Sequence, residues 1–476
     1  MSRLPVLLLF AAIGACSPSV DPAGDDDAGD DDAGDTAFRD INGVMWIYTT
    51  ANDVRFADIE ADLDTWKARG IRTLGIYSPY HGEKDQWLGA APRDFYAVPP
   101  QNGTLDEFRS LVASAHDKDM KIVAFMGFHS IDERSTFFTT AEMQYQAGDR
   151  TSHEVASFRW TDNPQAPTPA PVPDGPSVWK FSEVAGAYYW ALWDNAGLDL
   201  NHPEAALEIE RAVKFWMDLG LDGFMLDSGI VHPDFERLWV EVPQQQDRDV
   251  WITFESTWSE DEVDFDRFGL TSWFAFEDND YANTYSLVVF PEDGETAIDA
   301  EGLEEELAHV DYAREHGKLT YAWSLLERQF PEPRMRVQEA ALLAGAGVMY
   351  GAPDVDSYSA WPADVRTDWD RVLVTVNDNR ALWPSASRAR VPAAPGPLAY
   401  AMQRTAEDGS QTALLVYNLA AQAQTITLDL AGSGIAAGQT PTDLYGGLAL
   451  PPIDGESYAL ELPGYGSALL AVTPPD

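Results

Sequence analysis

Pro203-Glu204-Ala205-Ala206-Leu207-Glu208-Ile209-Glu210-Arg211-Ala212-Val213-Lys214-Phe215-Trp216-Met217-Asp218-Leu219-Gly220-Leu221-Asp222-Gly223-Phe224-Met225-Leu226-Asp227 reads as a helix running straight into a strand. The helix is Pro203 to Leu219, the turn Gly220-Leu221-Asp222, and the strand Gly223 to Asp227. The same grammar repeats on both sides. Upstream come strand Gly43 to Thr50, helix Arg55 to Arg69 with Ile59, Leu63 and Trp66 on one face, and strand Ile71 to Tyr77. Helix Leu105 to His116, with Thr104 as its N-cap, leads to strand Lys121 to Met126. Downstream are strands Val250 to Phe254 and Thr271 to Phe276, helix Gly302 to His316 and strand Leu319 to Trp323. Helix Arg334 to Ala344 and strand Gly347 to Tyr350 complete eight strands. Repeated strand-then-helix units imply a parallel sheet, and eight of them imply an α/β fold of the (β/α)8 TIM-barrel type.

Phe128 to Asn201 is too long for an ordinary loop, and its Pro-rich tract Pro164 to Pro176 suggests an irregular lobe inserted after strand 3. Beyond Trp383 the runs Leu398 to Arg404, Thr412 to Tyr417, Gln424 to Leu430 and Ala468 to Val472 alternate between turns, as in a C-terminal all-β sandwich. The expected domains are a signal peptide (1–15), an acidic tether (16–38), the barrel (39–390, insertion about 128–201) and the sandwich (391–476).

Over 476 residues, 31 basic against 78 acidic side chains give a net charge of −47, which excludes partners with a phosphate backbone such as nucleic acid. With 45% apolar residues and 16 Trp, the chain has material for a large core and is not disordered throughout. The single cysteine excludes an internal disulfide and a thiolate zinc cluster. That residue, Cys16, follows Arg3 and the apolar run Leu7 to Ile13, and Ile13-Gly14-Ala15-Cys16 resembles a bacterial lipobox. The expectation is a lipoprotein anchored through Cys16 at the bacterial cell envelope, on the outer membrane; the alternative is a plain signal peptide whose Cys is incidental. The repeats Asp25-Asp26-Asp27-Ala28-Gly29 and Asp30-Asp31-Asp32-Ala33-Gly34 form a solvated spacer, since like charges repel. They lack the ligand spacing and closing Glu of an EF-hand loop.

In a barrel the working groups sit at the C-terminal ends of strands. Asp227 and Glu255 end two neighbouring strands, where carboxylates can face one another at about 5 Å, as a retaining glycosidase requires. Each could instead cap a helix or pair with an arginine. Trp46 and Tyr80, near the ends of the first two strands, are placed over a central pocket as stacking surfaces. His129 and His232 are candidates for binding a hydroxyl, or structural histidines. Trp160, Trp179, Tyr188, Tyr189, Trp190 and Trp193 cluster in the lobe and serve either sugar stacking or packing. Glu277-Asp278-Asn279-Asp280 reads as a solvated acidic loop or a metal-ligand run.

Asp94-Phe95-Tyr96-Ala97-Val98, then Gly103-Thr104-Leu105-Asp106-Glu107-Phe108, then Lys121-Ile122-Val123 resemble the D-Y-Y-x-V, G-T-x-x-D-F and K-V-I runs of the α-amylase family, glycoside hydrolase family 13. Leu198 to Glu204 resembles its D-L-N-x-x-N-P-E stretch, and Gly347-Val348-Met349-Tyr350-Gly351 its last-strand motif. The resemblance implies Asp227 as nucleophile and Glu255 as general acid/base. It also implies a substrate among α-linked glucosides or related oligosaccharides and polysaccharides. Four places depart from the family. Met225 stands where it has Arg beside the nucleophile, and Phe125 where it has Asp. Phe128-His129 replaces Asn-His, which puts the family's structural calcium in doubt, and no other cofactor is implied. Ser324-Leu325-Leu326-Glu327-Arg328 replaces Asn-His-Asp, with Glu327 as the stand-in for the Asp. These departures keep a second expectation open, a carbohydrate-binding or scaffold lipoprotein on the same fold with impaired catalysis.

Overall fold

A computed structural model of the chain describes residues 38, 43–85, 87–168, 177–227, 249–254, 272–274, 298–323, 333–352 and 355–472. Cys16 and the acidic repeats, His232, Glu255, Glu277 to Asp280 and Ser324 to Arg328 with Glu327 lie outside the described residues.

Eight strands form one parallel sheet: β1 Val44–Ile47, β2 Thr73–Tyr77, β3 Lys121–Met126, β4 Gly223–Leu226, β5 Trp251–Phe254, β6 Ser272–Phe274, β7 Leu319–Trp323 and β8 Val348–Ala352. Their order is β5-β4-β3-β2-β1-β8-β7-β6, the sequence of a barrel opened between β5 and β6. Those two strands lie side by side, with no ladder pair among the described residues.

Alternation along each strand divides the core. Val44, Trp46, Val123, Phe125, Met225, Trp251, Leu319, Tyr321 and Met349 form one buried cluster in the barrel interior. Met45, Ile47, Leu74, Ile76, Ile122, Ala124, Phe224 and Ile252 pack on the other face against the helices. Burial on both faces explains why the strands read as continuous apolar runs. The Trp46 ring lies over Gly75, its register partner, where any Cβ would collide with it.

Helix Leu105–His116 opens with a capping box: the Glu107 N–H donates to Thr104 Oγ1 (3.1 Å), and the Thr104 N–H donates to Glu107 Oε2 (2.8 Å). The helix expected over Arg55 to Arg69 is broken at Asp62 (φ −94°, ψ 0°) into Phe56–Ala61 and Leu63–Ala68. Ile59, Leu63 and Trp66 are buried all the same.

The lobe after β3 is regular rather than irregular. Ser130–Ile131, Trp160–Thr161, Ser177–Ser182, Ala187–Leu192 and Asn195–Gly197 make an antiparallel sheet, joined by helices Thr136–Gln146 and His153–Ala156. His153 fastens the lobe to barrel helix Pro203–Asp218, with Nδ1 2.7 Å from Glu204 Oε2 and Nε2 2.9 Å from Glu208 Oε2. Burial works to lower the imidazole pKa, but the hydrogen bonds and charges of Glu208 and Glu204 outweigh it and raise the value above 6.5. A raised folded pKa gives stability that is complete below the unfolded value and is lost as pH climbs through the folded one. The melting-temperature gap between wild type and His153→Gln is therefore expected to narrow as pH rises above the ordinary imidazole value and through the raised folded one. A gap independent of pH would show that the ion pairs contribute nothing.

The C-terminal residues form two antiparallel sheets. One joins Ser387–Arg390, Ala399–Thr405, Thr412–Asn418, Ser467–Val472 and Thr442–Asp443, and the other Ala393–Ala394, Gln424–Asp429 and Ser457–Leu462. Leu414, Val416, Ile426, Leu428, Leu460 and Leu470 fill the space between them. Charge joins this sandwich to the barrel. Arg388 donates to Glu304 (2.8 Å) and Asp311 (2.6 Å) of barrel helix Ala300–Glu315.

Arg404, fully buried, donates to the carbonyls of Ala346 (2.5 Å), Ala381 (3.4 Å) and Trp383. Ala346 ends helix Pro333–Ala346, so the guanidinium satisfies carbonyls that a helix terminus leaves without partners. Arg404→Met would strand them in an apolar seam at a cost of about 1–3 kcal/mol for each unmade bond. A urea midpoint lowered at unchanged m-value is the expected result. An unchanged midpoint would show that water reaches the seam.

Candidate active site

Asp227 follows β4 directly, and its N–H donates to the Met126 carbonyl (3.0 Å), which extends the β3–β4 ladder to the mouth of the barrel. Its side chain keeps 19% exposure, and Oδ2 lies 3.4 Å from His129 Nε2. The other imidazole nitrogen, Nδ1, is 2.8 Å from Ser130 Oγ, and the ring packs on Trp193 at 4.8 Å. An ionised carboxylate only accepts, so the imidazole presents its Nε2–H to Asp227. Gly127 leaves room for this pair, because a Cβ there would stand 3.1 Å from Asp227 Oδ2.

Leu226 pairs with Phe254 across the β4–β5 ladder, so Asp227 and Glu255 are the next residues of the two strands. Glu255 itself lies outside the described residues, as do Glu327 and His232. Met225 is buried in the barrel interior, two residues before Asp227 and in register with Phe125 and Thr253.

Neither Trp46 nor Tyr80 offers a face to a ligand. Trp46 is fully buried within the barrel, and its indole N–H donates to the Tyr321 hydroxyl (2.9 Å). Tyr80 is also fully buried, donating to the Ala90 carbonyl (2.6 Å) and accepting from the Gly127 N–H (2.9 Å). Burial, assisted by the nearby Asp227 charge and opposed by the Gly127 hydrogen bond, lifts its phenol well above the ordinary value. Tyr80 therefore braces the backbone beneath Asp227 as a neutral phenol.

The rings nearer the mouth are Tyr48 and Tyr77, both half-buried. Tyr48 stacks on Tyr77 (4.3 Å, 16°) and Tyr77 on Phe125 (4.5 Å, 7°). Neither ring is among the residues expected at the site, although alternation from Trp46 to Tyr48 and from Gly75 to Tyr77 carries the signal.

The lobe aromatics divide. Trp160 stacks on Tyr145 (4.6 Å) and donates to the Val155 carbonyl (3.0 Å), Trp179 donates to the Ala166 carbonyl (2.8 Å), and Trp190 donates to Ser177 Oγ (2.7 Å). Tyr188 packs on Phe181 (5.0 Å), and the Tyr189 hydroxyl donates to Glu133. These rings hold the lobe together. Trp193 differs: with Asp194 it forms the two-residue tip of the hairpin Ala187–Leu192/Asn195–Gly197, at φ +44° and +65°. That tip presents its ring to His129.

Phe128 packs on Phe95 (5.7 Å) and Phe224 (6.4 Å), an apolar setting that gives calcium no ligand. Among the described residues, no three His, Cys, Asp or Glu side chains are grouped to hold a metal.

The comparisons with known proteins agree with this architecture. Residues 67–265 match the family model of the α-amylase catalytic domain, and residues 391–469 match that of the maltogenic amylase C-terminal domain. Trehalose-6-phosphate hydrolase of Bacillus subtilis (strain 168) is 30% identical over 182 residues, 38% of this chain and 32% of that protein. The amino acid transporter heavy chain SLC3A1 of Homo sapiens is 32% identical over 180 residues, 36% of this chain and 25% of that protein. The chain thus spans about a third or less of the length of these two relatives. Among solved structures, the α-amylase from H. orenii superimposes with a TM-score of 0.71 at 17% identity, covering 91% of this chain and 99% of that one. An α-amylase from Geobacillus thermoleovorans complexed with acarbose gives a TM-score of 0.68 at 14% identity, covering 92% and 99%. The catalytic-domain match thus spans the β4 and β5 strands and the C-terminal-domain match lies in the sandwich, so the chain is similar to α-amylase family proteins in both parts.

Proposed function

We propose that the chain is a retaining glycoside hydrolase acting on α-linked glucosides or related oligosaccharides, with Asp227 as nucleophile and Glu255 as general acid/base. The observation that carries this reading is the half-sheltered Asp227 carboxylate at the barrel mouth, 3.4 Å from an imidazole N–H. Asp227 attacks the anomeric carbon while Glu255 gives its proton to the departing glycosidic oxygen, which leaves a glycosyl ester on Asp227. Glu255 then takes a proton from water, and the resulting hydroxide displaces Asp227 with net retention. His129 orients the carboxylate by its Nε2–H contact. Glu327 and His232 contact the sugar hydroxyls in this reading. Relatives named as trehalose-6-phosphate hydrolase and trehalose synthase/amylase support an α-glucoside as substrate. The test is a screen of aryl α- and β-glycosides and oligosaccharides, with Asp227→Asn as control.

Met225 and Phe125, together with the likeness to a transporter heavy chain, favour a second reading: a carbohydrate-binding or scaffold protein without turnover. No hydrolysis of any α-glycoside, with retained oligosaccharide binding, would select it.

The N-terminal residues support anchoring of this barrel to the cell envelope through lipidated Cys16 and the acidic spacer. Cys16→Ser is expected to move the protein from the membrane to the soluble fraction. Equal partition of both forms would refute the anchor.

A further inference from the structure

Strand Ser177–Ser182 of the lobe pairs with Ala187–Leu192 along one side, and among the described residues no strand lies along its other side. We propose that a second copy of this chain docks on that open edge. The two Ser177–Ser182 strands would run antiparallel about a two-fold axis at Phe181.

The other outer strands of the lobe and the sandwich are protected. Ser387–Arg390 carries Arg388 and Arg390, Ser457–Leu462 exposes Ser457, Ala459 and Glu461, and the rest are two residues long. Charge and shortness both blunt an edge against pairing. Ser177–Ser182 is six residues long, and its one charged side chain, Lys180, is drawn to Glu133 (2.5 Å). Val178 and Phe181 are left 44% and 45% exposed, and Val184, in the turn that follows, 42%.

Backbone directions allow the axis to pass at Phe181. The Trp190 N–H donates to the Arg159 carbonyl (3.0 Å), away from its cross-strand neighbour Trp179. Trp179 therefore turns its own N–H and C=O to the open edge, and by alternation so does Phe181. Two Phe181 residues facing one another across the axis would exchange both of their hydrogen bonds.

Charge selects a second copy as the occupant. In this register Lys180 falls opposite Ser182 of the other copy, and the Ser182 hydroxyl donates to Glu142 Oε1 (2.6 Å). The Lys180 side chain keeps 39% exposure, and an ammonium has three donors, so it can serve Glu133 and meet Glu142 of the other copy. The axis makes that ion pair twice. Glu142 lacks such a cation within its own chain: burial, with the Glu133 charge, raises its carboxyl pKa against the Ser182 bond. Val178 falls opposite Val184, and Phe181 opposite itself. Moving the axis to Lys180 would set two lysines face to face instead. A base and an acid two positions apart on one strand face, with apolar groups between the copies, give the self-complementarity of an isologous interface.

The test begins from the full chain carrying Cys16→Ser, which removes the only native thiol. Sedimentation velocity is recorded over about 1 to 100 µM, alone and with Phe181→Lys or Glu142→Gln. The expected result is a concentration-dependent dimer, reduced to monomer by Phe181→Lys and weakened at least threefold by Glu142→Gln, with melting temperatures of the monomers unchanged. Phe181→Cys in the same background gives a chain with one thiol, and facing Cα atoms about 5.5 Å apart are within disulfide reach. Its oxidation should yield covalent dimer at least tenfold faster than that of Ser457→Cys, a thiol on an exposed sandwich strand. A monomer at every concentration, with no faster crosslinking through Phe181→Cys, would overturn the proposal. A dimer that Phe181→Lys leaves intact would overturn it as well.

Discussion

Asp227→Asn is expected to lower kcat by roughly three orders of magnitude or more on every glycoside the wild type hydrolyses, with KM little changed. The amide is nearly isosteric, so the Met126 hydrogen bond and the His129 contact persist in shape while the nucleophile is lost. Glu255→Gln should behave differently and spare substrates whose leaving group departs without a proton. Steady-state kinetics on an aryl α-glycoside with a good leaving group and on an unactivated disaccharide separate the two roles. Full turnover by Asp227→Asn would remove Asp227 from the chemistry.

Trp193→Asn is expected to raise KM for an oligosaccharide about tenfold while the melting temperature holds or rises. A bulky residue at φ +44° is an outlier, and left-handed backbone costs about 1–2 kcal/mol outside glycine and asparagine. Asparagine suits the first position of a two-residue hairpin turn with positive φ at both centres, so the substitution relieves that cost. What it removes is a half-buried ring 4.8 Å from His129, beside the candidate nucleophile. Tenfold corresponds to about 1.4 kcal/mol, the scale of one well-placed aromatic contact. A lower melting temperature with unchanged KM would make Trp193 a packing residue only.

The barrel was legible because its strands are buried on both faces and read as unbroken apolar runs between amphipathic helices. Thr104 marked a helix start as an N-cap by itself, and the structure adds Glu107 as its capping-box partner. The site was less legible because depth within a barrel depends on register between strands far apart in sequence. Trp46 looked like a mouth residue, yet pairing with Gly75 and a hydrogen bond to Tyr321, 275 positions away, place it inside. Tyr48 and Tyr77, one layer further along the same strands, take the rim instead. The lobe was less legible for a different reason. Its Pro-rich tract drew attention from the hairpin Ala187–Leu192/Asn195–Gly197, whose tip residues Trp193 and Asp194 lack the usual Asn-Gly signal.

Covalent trapping tests the assignment of Asp227 most directly. A slow fluorinated α-glucosyl fluoride is incubated with wild-type protein, and the peptide containing Asp227 is weighed by mass spectrometry. A retaining mechanism through Asp227 predicts one added fluoroglucosyl group on that peptide, absent from Asp227→Asn. Continued hydrolysis of an α-glucoside with no adduct on that peptide, or with the adduct on another residue, would contradict it.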